Sequence, residues 1–300
     1  MPALALAIAV SVATGVWAQR RYGDGAIALT RRLLDAMLYV ALPLITFFVV
    51  ARAELTAAAG AGILLAYVAL VLTGLLAWAI ATRVLHLAPR SAAMVVIAAI
   101  MANTGYFGAP VVATLLGHDE LGAAVTFDAL SSPVFYVAAF LIAAMLTTRG
   151  QPPATRLRTY VLRNPPLLAV AAALAAPDAL APDVLVDAAR VGVLVIAPVG
   201  FFVAGVALAA ERVGFPPPLG APVAVVVALR IVVAPLLLLA LATIVADVPD
   251  AYLAQAAMPV GVNTLVVAHA YDLDGTIAAA ALTWSTALAL VAALVAAALT

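Results

Sequence analysis

Cysteine is absent from this chain, and so is lysine. Without thiols there is neither a disulfide framework nor a thiolate metal site. The three histidines stand far apart in sequence and build no zinc constellation, so no metal site is expected. Charge is scarce as well. Asp, Glu, Lys and Arg make up 9% of the 300 residues and balance to a net charge of zero. No basic cluster with interleaved aromatics exists, which argues against nucleic acid as a partner. All 14 basic residues are arginine; with the heavy alanine usage, this points to genome composition rather than to chemistry.

What fills the chain is apolar: 67% of it is hydrophobic and the mean hydropathy is +1.23. Soluble domains run nearer half apolar and a quarter charged, so the lipid bilayer is the expected solvent. A transmembrane helix needs about 20 apolar residues, which leaves room for roughly ten spans and no soluble domain. The runs are too long and too rich in Ala and Leu for barrel strands. The start, "MPALALAIAVSVATGVWAQRR", lacks the basic n-region of a secretory signal and carries Arg20 and Arg21 after its apolar run. It reads as a short first span.

Apolar runs between charged or Pro/Gly-marked breaks predict an all-α integral membrane protein of ten helices. They fall at about 3–18, 31–50, 57–82, 91–117, 121–147, 165–181, 188–210, 219–246, 251–271 and 275–299. Arg20, Arg21, Arg31, Arg32, Arg83, Arg90, Arg149, Arg156, Arg158, Arg163 and Arg212 sit at odd-numbered connections, against Arg52 and Arg190 at even ones. Asp119, Glu120, Asp178, Asp183, Asp247 and Asp250 gather at the even connections. The positive-inside rule then makes the odd connections cytoplasmic and leaves both termini outside the cell (inner) membrane.

The polar stretch 149–164 halves the protein into 1–148 and 165–300. At an offset of about 154 residues, "SSPVFYVAAFLIAAML" (131–146) aligns with "STALALVAALVAAALT" (285–300), and "HDELG" (118–122) with "YDLDG" (271–275). Pro43 aligns within a residue of Pro198. An odd number of spans per copy forces the second five-helix repeat to insert inverted, a transporter architecture whose substrate site lies at the repeat interface.

Two spans carry loop chemistry at mid-depth. The fourth contains "MANTGYFGAP" and the ninth "MPVGVNT", with Gly108-Ala109-Pro110 and Pro259-Val260-Gly261 expected to break the helices in corresponding places. Freed backbone in hydrocarbon is tolerated only against protein or a water-filled cavity. Pro110 suits the first turn of a half-helix and Asn263 suits an N-cap. Asn103, Thr104, Asn263 and Thr264 add polar side chains, and half-helix N-termini favour an anion.

These motifs, with "ALPLI" (41–45), "RNPPLL" (163–168) and "APVGFFVAGVAL" (197–208), resemble the auxin efflux carrier family of membrane transporters. The resemblance covers nearly the whole chain. It implies a ten-helix inverted-repeat fold related to the bile acid symporters, with crossed fourth and ninth helices. It also implies small organic anions as substrates, mono- or dicarboxylates like auxin, and it hints at a homodimer. Carried over, the crossover positions are Asn103, Gly105, Gly108, Pro110, Pro259, Val262 and Asn263. Plant members carry a long hydrophilic loop between the fifth and sixth spans. Only residues 148–164 stand in that place here, which argues against loop-based phosphoregulation and against auxin itself as the substrate.

Asp128 and Arg230 lie well inside spans, where ionisable groups are functional candidates by default. They either pair with each other or hold unwound backbone, or Arg230 neutralises a substrate carboxylate while Asp128 carries a coupling proton. His269, near a helix end, reads as an interfacial histidine or a proton relay. No cofactor is expected beyond a coupling H⁺ or Na⁺. A cation/proton antiporter would show adjacent carboxylates at the crossing, and an aspartyl intramembrane protease a second intramembrane Asp. The chain has neither, so organic-anion transport is expected, with a cation/proton or sodium-coupled transporter of the same architecture as the alternative and an intramembrane enzyme behind both.

Overall fold

Apolar segments that cannot rely on water must close their own backbone hydrogen bonds, and this chain does so as helices. The computed structural model describes residues 2–51, 57–147, 158, 165–210 and 216–299. Among them there is no strand, only one isolated bridged pair. Helix α1 is Pro2–Tyr22; α2 (Asp24–Ala36) runs through a wide turn at Met37–Ala41 into α3 (Leu42–Ala51). Helix α4 (Ala57–Ala79) ends in a wide turn at Ile80–Val84. Then come α5 (Pro89–Ile100), a wide turn at Thr104–Gly108, α6 (Ala109–Leu115) and α7 (Leu121–Thr147). The rest comprises α8 (Pro165–Ala175), α9 (Asp183–Ala210), α10 (Ala221–Ala228), a wide turn at Leu229–Val233, α11 (Ala234–Val245), α12 (Asp250–Ala256), α13 (Thr264–Tyr271) and α14 (Gly275–Leu299).

Every stretch expected to be helical therefore contains a helix. Four of them, Gly60–Val84, Leu121–Thr147, Ala221–Val245 and Gly275–Ala298, are long and apolar enough to cross a membrane by themselves. Their outer faces carry exposed apolar stripes, such as Leu64, Val68 and Leu75, or Leu288, Val291 and Val295. Among the linker residues 149–164 only residue 158 is described; Arg52, Arg149, Arg156, Arg163 and Arg212 also lie outside the described residues.

The wide turns explain how three of the prolines are accommodated. Pro43, Pro110 and Pro235 each stand two residues beyond the end of one, where the preceding N–H reaches back five residues instead of four: Leu42 to Met37 O, Ala109 to Thr104 O, Ala234 to Leu229 O. A proline in a regular helix clashes with the carbonyl four residues back and lacks an N–H. Widening the preceding turn relieves both faults. The expected break at Gly108–Pro110 is thus wrong in position. That segment stays helical, and the fourth span is broken earlier, at Met101–Asn103. The ninth breaks where expected, between Ala256 and Thr264 around Pro259–Gly261.

Burial centres on those breaks. Every residue from Ala92 to Met101 is buried, as befits a short helix that is apolar all round. Around it pack Phe140, Ala143, Val266, Val267 and the alanines 278–281. Small residues bring backbones close where no water-driven force separates helix from lipid. The tightest such contact joins α1 to α9. A methyl at Gly15 would overlap the Phe202 carbonyl, and one at Gly205 would overlap the Val12 carbonyl. Gly205→Leu is expected to cost about 1–3 kcal/mol through overpacking. A thermal melt in detergent checks this, and an unchanged melting temperature would refute the close contact.

Candidate functional site

Where the two breaks meet, the chain forms a two-bond antiparallel bridge between Ala102 and Val260. Asn103 N–H donates to Pro259 O at 2.8 Å and Gly261 N–H to Met101 O at 2.8 Å. Val260 N–H donates to Ser285 Oγ at 3.0 Å. Gly261 allows this approach, since a Cβ there would lie 3.0 Å from Ala102 O. Extended backbone deep in an apolar bundle is thereby paired, as the cost of freed polar groups requires.

The carbonyls left over at the ends of α5 and α12 are taken by Arg230. Its Nε donates to Met258 O at 3.1 Å, Nη1 to Ala99 O at 3.3 Å and Nη2 to Ala256 O. Helix C-termini carry partial negative charge, and the guanidinium presents several donors in one rigid plane. Two half-helix ends thus supply the counter-charge for a residue 5% exposed. The ion pair with Asp128 is not formed: the carbonyls occupy the guanidinium, and the carboxylate finds hydroxyls instead. Thr104 Oγ1 donates to Asp128 Oδ1 at 2.5 Å and Ser132 Oγ at 2.8 Å. Gly105 packs directly against that carboxylate, and a Cβ there would lie 3.0 Å from Oδ2.

Beside the crossing lies a cavity of about 60 Å³. Of the expected site residues, Asn103, Thr104, Gly105, Val262, Asn263 and Asp128 line it. Asn103 is 2% exposed, and among the described residues neither its Oδ1 nor its Nδ2 has a hydrogen-bond partner; Asn263 Oδ1 has none among them either. Asn263 sits at the N-cap position of α13, but its side chain does not cap. Its backbone there is helical, with φ −68° and ψ −8°, and its Nδ2 donates to Tyr136 Oη instead.

The other expected residues serve the crossing from behind. Thr264 turns its hydroxyl onto Gly261 O at 2.8 Å. Pro259 supplies the bridging carbonyl. Gly108 makes room for Gln255 and Met258 side chains, and Pro110 lies within the first turn of α6. Arg230 does not line this cavity; it borders a smaller one, of about 30 Å³, with Gln255. His269 is farther off, at the end of α13, where its Nε2 lies 2.8 Å from Asp35 Oδ1. Pro43 precedes Ile45 and Thr46, which line the cavity, whereas the helix of Pro198 reaches the crossing through Gly200 against Val262.

Ser132 and Tyr136 line the cavity too, and the sequence reading did not single them out. The signal was present. Asp128, Ser132 and Tyr136 stand at i, i+4 and i+8 on α7, one face of one helix.

Long apolar helices with lipid-facing stripes, two of them interrupted and bridged at a buried polar cavity, define a multi-pass membrane protein. The chain belongs to the membrane transport protein family, that of the auxin efflux carriers, which it matches over residues 9–155 and 161–297. It is therefore a membrane transporter by family. A comparison with curated proteins finds no match.

Proposed function

We propose that this transporter carries a small organic anion, a mono- or dicarboxylate, by alternating access at the crossing. The observation that carries the reading is that both buried amide atoms of Asn103 and the Oδ1 of Asn263 have no partner among the described residues. Leaving a buried polar group unpaired costs about 1–3 kcal/mol, a cost that a carboxylate accepting from Nδ2 and a co-bound proton or water at Oδ1 would offset. Ligand pockets usually hold roughly 300–1,000 Å³, far more than the 60 Å³ found beside the crossing. The site is therefore closed around its polar groups, and an organic anion reaches them only when helices move.

Order along the chain supports two inverted five-helix repeats, residues 1–148 and 165–300. In each half two helical stretches are followed by a long apolar helix, a broken helix and a second long apolar helix. The four helices that qualify as spans by themselves are the third and fifth of each half. The contacts Arg90–Asp272, at 2.6 Å, and His269–Asp35 join helix ends at odd-numbered connections. That is in keeping with a cytoplasmic face there, with both termini outside the cell membrane.

Asp128 is the one acidic or basic side chain among the described lining residues. An ionised Asp128 repels an arriving carboxylate, so substrate and a neutralising H⁺ enter together. A sodium-coupled or cation/proton transporter is the second reading, favoured by the oxygen-rich cluster of Asp128, Thr104 and Ser132. Flux of labelled mono- and dicarboxylates into proteoliposomes separates the two. An imposed proton gradient is expected to speed wild-type flux several-fold and to leave the flux of Asp128→Asn unchanged. Drive by sodium alone would replace the first reading with the second, and absence of carboxylate flux under every gradient would overturn the first.

A further inference from the structure

Away from the crossing, α1, α9 and α14 enclose a groove of about 570 Å³, nearly ten times the space beside Asn103. Its walls are apolar from Ile8 and Leu290 at one end to Trp17 at the other, where Arg20 closes the lining. From Ile8 to Arg20 is about 18 Å at 1.5 Å per residue, close to one leaflet of a roughly 30 Å hydrocarbon core. Trp17 and Arg20 are both exposed at that end, with Arg21 following, a pairing typical of the membrane–water interface.

The polar detail inside the groove is Thr286. Thr14, Thr73, Thr82, Thr114, Thr147 and Thr283 all turn their hydroxyls back onto the carbonyl four residues before. Thr286 does not. It is 3% exposed, lines the groove, and its Oγ1 has no hydrogen-bond partner among the described residues. A buried hydroxyl that forgoes its local acceptor costs free energy unless something else takes the bond.

We propose that this groove is a binding site for one anionic glycerophospholipid. An acyl chain lies along the Ile8–Trp17 wall, an ester carbonyl accepts from Thr286, and the phosphate pairs with Arg20. Net charge selects the lipid: a guanidinium binds the phosphate through paired, charge-assisted hydrogen bonds, and a zwitterionic lipid brings its own cation beside Arg20 and Arg21 and offsets that attraction, while the apolar wall supplies area without selectivity. The site is backed directly by the crossing. Ser285, next to Thr286, holds Val260 N–H, and Gly200, next to Phe201 of the groove wall, packs on Val262.

Binding is read on the full-length protein in mild detergent by native mass spectrometry, titrated with dioleoyl phosphatidylglycerol or with dioleoyl phosphatidylcholine. One phosphatidylglycerol is expected to bind at least tenfold more tightly than phosphatidylcholine. Arg20→Gln is expected to erase that preference by weakening phosphatidylglycerol binding far more than phosphatidylcholine binding, and Thr286→Val to weaken phosphatidylglycerol binding severalfold. Ala287→Trp, which fills the groove, is expected to abolish the one-to-one adduct. Equal binding of both lipids by wild type, or a preference that survives Arg20→Gln, overturns the site. Because Arg20 is exposed at a helix end, that variant keeps the test decisive if Ala287→Trp fails to fold. The readout is lipid binding, so its result is independent of whether carboxylates are transported.

Discussion

Asn103→Ala is expected to lower carboxylate flux in proteoliposomes at least a hundredfold, with a melting temperature equal to or above that of the wild type. The two halves of this result come from one fact. Both amide atoms of Asn103 are buried and unpartnered among the described residues, so removing them deletes a cost of about 1–3 kcal/mol per group and leaves the backbone bridge through Asn103 N–H intact. A residue that is unfavourable for folding and required for turnover marks a site kept for its ligand. Asn263→Ala is expected to match it in flux but not in stability, because it also breaks the bond to Tyr136, worth about 1 kcal/mol. Full transport by both variants in the same vesicles would sink the crossing as the substrate site. Flux lost together with several degrees of melting temperature in Asn103→Ala would make its role structural.

Arg230→Leu is expected to have the opposite profile, a large loss of folded protein before any question of transport. It would strand the carbonyls of Ala99, Ala256 and Met258 in an apolar interior, for a total of roughly 3 kcal/mol or more. Arg230→Lys keeps the charge but not the planar fork, and its melting temperature should fall between the two. Thermal unfolding and monodispersity in detergent check this. A Leu variant that melts like wild type but transports nothing would move Arg230 from the scaffold to the substrate path.

How far these residues were legible in sequence depends on what each of them bonds to. The helices were legible because their signal, long apolar runs closed by Pro, Gly and Arg, is local. Asn103 and Asn263 were legible because an amide in hydrocarbon needs a reason. The break in the fourth span was misplaced because Pro110 is the strongest breaker in that stretch, and nothing in the letters TGYFG announces a wide turn that absorbs it. The partners of Arg230 were hidden for a different cause. They are main-chain carbonyls at Ala99, Ala256 and Met258, groups that every residue carries and that become available only after the helices have broken. Asp128, by contrast, shares one helix face with Ser132 and Tyr136 at i, i+4 and i+8, a spacing from which a common cavity wall was legible.

The bonds of Arg230 constrain how the protein can move. One side chain clasps the C-terminal ends of α5 and α12, and two backbone hydrogen bonds lace the extended segment at Met101–Asn103 to the one at Pro259–Gly261. Pulling the interrupted helices apart would sever all of these at once in a medium that offers no substitute. In the alternating access proposed above, the crossing therefore travels as one keystone together with the segment that carries Arg230, and the sliding surfaces lie outside it.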